Sequence, residues 1–272
     1  MPKKIQTIVI KSWEHALKVL YADSWDARAK KFVSPFVFRG LDTVNYKLVT
    51  SLQRLGANNP SWIPKLEKHL IRTFKKYAHR DVVSRDTDWH WLAMAQHHGL
   101  ATRLLDWTWS PLVALHFATT DMQRIENDGL IWMADIRRVR QELPVSLQSQ
   151  LQEVGTASFD VQLLSDIKLN PWEMVNYPGQ LSKDGFMIFF EPPSMDDRII
   201  NQFALFSVLS DPQVSQDDWF LSRPHLCRKV IIPGDKKWEI RDNLDQANIT
   251  ERVLLPGLDG LSHWLNRYYF AR

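Results

Sequence analysis

Gln96-His97-His98-Gly99-Leu100-Ala101-Thr102-Arg103-Leu104-Leu105-Asp106-Trp107-Thr108-Trp109-Ser110-Pro111 closes one helix and opens another. The preceding stretch from Trp89 to His98 reads as a helix with its N-cap at Asp86, Thr87 or Asp88. Gly99 suits the left-handed residue that ends such a helix, because it has no Cβ to clash there. At the far end Ser110 as N-cap with Pro111 behind it starts a second helix, over residues 112–122. The segment between reads as a turn through Thr102 and Asp106. Residues 96–108 nonetheless hold two histidines, a glutamine, an arginine, an aspartate and two threonines. That is more hydrogen-bonding capacity than a turn uses, so a buried polar site is expected there.

Working outward, short apolar runs bounded by turn residues predict strands at 7–10, 35–38, 129–135, 186–191, 203–209 and 228–233. Helical spacing predicts helices over 13–21 behind an N-cap at Ser12, over 66–79, over 237–246 and over 258–269. One further helix is expected in the polar stretch between 135 and 186. Strands interleaved with helices, with no repeat and no flexible linker, give an α/β (α+β) fold: a single domain over 1–272, core about 10–265, with a mixed sheet flanked by helices.

Composition supports a packed core, with 44% hydrophobic residues and only ten glycines. Thirty-four basic against 31 acidic residues leave a net charge of +3, too small to draw a phosphate backbone without regard to sequence. Nucleic acid is therefore not favoured as a partner. Apolar runs such as 111–118, interrupted by His116, fall far short of a membrane span. The N-terminal residues lack the pattern of a signal peptide, and the lone Cys227 has no disulfide or metal-ligand partner in sequence, so a cytoplasmic setting is expected.

Three features point to chemistry. Arg39-Gly40, at the end of the strand predicted over 35–38, places a bidentate cation where glycine permits close approach; a surface arginine before a turn reads equally well. In the 96–108 stretch, adjacent His97 and His98 point about 100° apart on a helix and cannot easily share an ion, so no metal is expected. The bland alternative is a histidine network with an Arg103–Asp106 pair locking the turn. Thr108-Trp109-Ser110 lies at a helix N-terminus, where free N–H groups favour an anion and Arg39 with Arg103 would complete a phosphate cradle. Ordinary capping by Ser110 explains the same residues. The lysines from Lys65 onward read as a solvated helix face.

These features occur together in the order seen in the FRG-domain family, which Phe38-Arg39-Gly40 resembles in name and place. The likeness continues through Trp91 to Gly99, Thr102 to Thr108, Ser110 to Ala118, Arg198-Ile199 with Gln202 and Phe206, Ile232-Pro233, and Leu255 to Gly260. It covers roughly residues 10–265. A weaker resemblance links Phe38-Arg39-Gly40 and Thr108-Trp109-Ser110, with Ala114 and Phe117, to ADP-ribosyltransferases of the arginine, serine, glutamate type.

That second resemblance implies a fold like those transferases and NAD as substrate, with its ADP-ribosyl group transferred to a macromolecular target that it does not identify. Arg39 and the Ser110 helix end would hold phosphates and ribose, and Trp107 or Trp109 would stack on the nicotinamide. Gly40, Gln96, His97, Thr102, Arg103, Asp106 and Thr108 complete the expected binding set. Catalysis would fall to Arg39, His98, Gln202 and a carboxylate. Gln202 stands where such transferases often carry glutamate, so Glu191 is the acid nominated in its place. Two alternatives remain open: a non-catalytic module binding a nucleotide or another phosphorylated ligand, and a nucleic-acid-binding protein using the 65–80 helix.

Overall fold

The computed structural model describes residues 4–27, 29–78 and 86–271. Its centre is an eight-stranded sheet in the spatial order Gln6–Val9, Cys227–Ile232, Gly129–Asp135, Phe36–Leu41, Leu105–Thr108, Ala204–Leu209, Met187–Glu191, Phe159–Asp160. The inner ladders are antiparallel, and the two outermost strands pair parallel to their neighbours. The sheet is thus mixed, with helices on both faces. A separate ribbon pairs Trp25–Asp26 with Lys31–Phe32.

Alternation along the strands sends side chains to two cores. On one face Val37, Trp107, Trp132 and Leu205 pack with Phe189, Trp219 and Phe220. The other face carries two separate clusters. Towards one side Phe36, Phe38, Ile131 and Met133 pack against helices Trp13–Leu20, Pro111–Thr119 and Lys237–Gln246. Towards the other, Ile188, Phe190, Phe206 and Val208 pack against helix Asp88–His97 and its neighbours. Between those clusters stand Thr108, paired with Phe38 and Ala204, and Asp106, paired with Phe206. The sheet therefore shows a polar strip in the gap between two helix layers.

The caps expected from sequence form. The side chains of Ser12, Thr87 and Ser110 accept from His15 N, His90 N and Val113 N, and Gly99 takes φ +78°. Three readings are corrected. Leu105–Thr108 is a strand rather than a turn, because Leu105 and Trp107 enter the core while Asp106 and Thr108 face the strip. The Phe36–Leu41 strand runs on through Arg39-Gly40 instead of ending there. Three helices, Ile136–Gln141, Val145–Val154 and Val161–Asp166, occupy the stretch where one was expected. The helix expected over 66–79 is Ile63–Tyr77; His79 and Arg80 lie outside the described residues.

Candidate functional site

The polar strip floors a cavity of about 270 Å³ lined by Phe38, Arg39, Gly40, Gln96, Asp106, Trp107, Thr108, Phe117, Arg198, Gln202 and Ala204. Its position follows from strand pairing. Phe36–Leu41 and Leu105–Thr108 register at one pair, Phe38 with Thr108, and beyond it Arg39 Nη1 donates to the Asp106 carbonyl. The same nitrogen lies 3.6 Å from the Asp106 carboxylate. Burial lowers the Arg39 pKa and Asp106 pulls it back up, but a guanidinium starts so high that it stays charged. Its Nε is buried without a hydrogen-bond partner.

Asp106 is the carboxylate of the cavity wall, and its side chain is exposed. Gln96 Nε2 donates to both of its oxygens, at 3.2 and 3.0 Å, and Gln96 Oε1 accepts from Thr102 Oγ1 at 2.6 Å. Thr102 is itself fully buried, and its Oγ1 accepts from Leu104 N at 3.1 Å. A relay of fixed polar groups thus orients the carboxylate, while Thr102 stays behind the wall. Opposite, Thr108 Oγ1 donates to the Gln202 carbonyl at 2.7 Å, and the Gln202 amide donates to the Leu254 carbonyl at 2.8 Å.

Gly40 has a packing reason for being glycine. A Cβ there would stand 2.0 Å from the Ala114 carbonyl oxygen, so the residue lets helix Pro111–Thr119 rest on the strand. Trp107 is 3% exposed; its indole donates to Ser207 Oγ at 2.7 Å and its ring packs on Phe189 and Phe220. That ring is committed to the opposite core. The apolar walls of the cavity are Phe38 and Phe117.

Other residues named from sequence lie elsewhere. Arg103 is buried on Glu67, donates to the Pro171 carbonyl at 2.9 Å and lies over Trp172, so it pairs with Glu67 and not Asp106. Ser110 caps its helix outside the cavity lining. Glu191 accepts from Ser158 Oγ at 3.0 Å, two strands away from the Leu105–Thr108 strand. His98 is exposed at the helix end. His97 bonds Asp196 at 2.7 Å in an adjoining cavity, which shares Arg198 with the first and also holds Asp259 and His263. Among the described residues, no group of three or more histidine, cysteine or acidic side chains is arranged to hold a metal ion. None of their helices is long and apolar enough to cross a membrane.

Residues 34–127 match the family model described as FRG domain. The chain carries an FRG domain. No curated protein and no solved structure matches it. Within the FRG domain match fall Phe38, Arg39, Gly40, Gln96, Asp106, Thr108 and Phe117; Arg198, Gln202 and Ala204, which close the cavity, come from beyond it. Sequence reading missed that Asp106, not Glu191, is the acid of the wall. The available signal was alternation, since Asp106 is flanked by apolar Leu105 and Trp107.

Proposed function

We propose that this cavity binds a nucleotide of the NAD type and that the FRG domain catalyses transfer or hydrolysis of its ADP-ribosyl group. The observation that carries this reading is the convergence of Arg39 and Arg198 with one oriented carboxylate, Asp106, between two phenylalanines. A buried guanidinium nitrogen without a partner is a donor that a phosphate oxygen would satisfy. Arg198, exposed and common to both cavities, supplies a second cation along the path of a ligand longer than one cavity.

In such a reaction the bond from ribose C1′ to nicotinamide breaks, nicotinamide leaves neutral with the electron pair, and water or a target nucleophile bonds C1′ and loses a proton. Positive charge develops on the ribose, and a fixed anion beside it lowers the barrier. In this reading Asp106 takes that task, and its hydrogen bonds from Gln96, itself held by Thr102, support it. Phe117, half-buried at the cavity, offers the aromatic ring an apolar wall.

The test is a thermal shift with NAD combined with mass spectrometry of released nicotinamide. The wild-type chain is expected to be stabilised and to release nicotinamide. Arg39→Ala loses both effects, whereas Asp106→Asn keeps most of the stabilisation and slows release by about 100-fold or more. Stabilisation without release, in the wild type as well, would favour a nucleotide-binding module without turnover, a reading that the commitment of the Gln202 amide to Leu254 supports. No response to NAD removes the proposal.

A further inference from the structure

The helix Leu258–Tyr268 is amphipathic in the unexpected direction. Its inward residues are Gly260, Trp264 and Arg267, spaced at i, i+4 and i+7. Gly260 sits flush on the preceding turn, where a Cβ would stand 1.8 Å from the Leu255 carbonyl oxygen. Trp264 lies under the Arg252 guanidinium, 4.6 Å from its ring centre. Arg267 donates to Glu251 at 2.6 and 2.8 Å and to Asp245 at 2.9 and 2.7 Å. Ion pairs and one close backbone contact thus bind this helix to the body, with little apolar packing.

Its apolar residues lie on one flank, roughly 100° around the helix from that inward stripe. Leu258, Leu261, Leu265 and Tyr268 fall at i, i+3, i+7 and i+10, the alternating three-and-four spacing of a seam shared between two helices. They are 79%, 38%, 37% and 57% exposed, and Tyr269 extends the strip at 77%; Phe270 instead stacks on Trp238 of helix Lys237–Gln246. No charged residue interrupts these positions; Asp259, Ser262, His263 and Asn266 occupy the sector between seam and body.

We propose that this seam is the interface of a symmetric homodimer, each copy packing its Leu258–Tyr268 helix on the same helix of the other. The exposed area of the five side chains is on the order of 600 Å² per copy, so a pair would cover roughly 1,200 Å², at the lower edge of the range of stable interfaces. An uncharged strip is self-complementary, since a two-fold axis sets no like charges against each other. The rigid anchoring through Arg267 holds the helix in place before the partner arrives, which reduces the ordering cost of association. The inference is independent of the ligand reading.

Sedimentation velocity of the full chain across a range of concentrations tests it. The wild type is expected to pass from monomer to dimer as concentration rises. Leu258→Asp combined with Tyr269→Asp weakens association by at least about 100-fold while circular dichroism and the thermal midpoint stay near wild type, because these two residues, 79% and 77% exposed, have little packing to lose in the monomer. Leu265→Ser, a milder change, shifts association in the same direction, and Asn266→Asp, off the seam, leaves it unchanged. A wild type that stays monomeric throughout overturns the proposal. So does a dimer that survives the double aspartate variant, or a monomer whose seam residues are instead required for binding phosphatidylcholine vesicles.

Discussion

Gly40 separates two reasons for a glycine that look alike in a sequence. Beside Arg39 it suggests room for a ligand, yet the space its missing Cβ leaves is filled by the Ala114 carbonyl. Gly40→Ala must push helix Pro111–Thr119 off the strand, and a loss of about 1–3 kcal/mol in denaturant unfolding is expected. A variant of unchanged stability but weakened ligand binding would contradict this packing role. Arg39 itself was legible as a candidate cation for a cleft, although from the tripeptide alone a surface arginine before a turn read equally well. Its anchoring on the Asp106 carbonyl was not legible, since that contact joins residues 67 positions apart.

The elements show why local signals carried some readings and failed in others. Helices Asp88–His97 and Pro111–Thr119 announce themselves through Thr87, Gly99, Ser110 and Pro111, whose preferences act within one turn. The Leu105–Thr108 strand is only four residues long and hides among turn-formers until its neighbours pair with it. Helix Ile63–Tyr77 presents exposed lysines outward and turns Glu67 inward onto Arg103, where Glu67 is fully buried. Glu67→Gln removes one charge of a buried pair and leaves the other uncompensated. We expect a loss of about 3–5 kcal/mol by urea titration, far more than Lys68→Ala at an exposed position of the same helix. Equal effects from the two would refute the buried-pair account.

Across the molecule, one buried network ties the C-terminal helix to helix Pro111–Thr119, which packs on the sheet. His116 Nδ1 accepts from Arg241 at 2.9 Å, Arg241 donates to Glu251 at 3.0 Å, and Glu251 is shared with Arg267. Just beyond Glu251, the Val253 and Leu254 carbonyls hold Asn201 and Gln202 at 2.8 Å each, at the cavity edge. Burial and the Arg241 charge push His116 from its ordinary 6.5 down to about 3. Burial raises Glu251, but Arg267 and Arg241 outweigh it and bring the group from 4.5 to about 2. Both folded values lie below the unfolded ones, so the unfolded chain binds more protons in acid. Stability is then full above about pH 6.5, falls first through His116 and, below about 4.5, through Glu251 as well. The His116 share is on the order of 3 kcal/mol between pH 7 and pH 4. Thermal midpoints measured across that range should fall, and His116→Gln should flatten the portion above pH 4.5; an unchanged slope would assign it to other groups.

The α/β class, most element positions, the caps and the Phe38-Arg39-Gly40 and Gln96 to Thr108 motifs could be read from the chain alone, because periodicity and capping are properties of neighbours within a turn or two. Which of those residues meet was settled by sheet order and side-chain direction. Strand pairing brought Asp106 to the cavity and turned the Trp107 ring away from it. A long-range ion pair took Arg103, Ser158 held Glu191 elsewhere, and Arg267 fixed the last helix with its leucines on one flank. Each of these outcomes depends on partners tens to hundreds of residues distant, which no local pattern encodes.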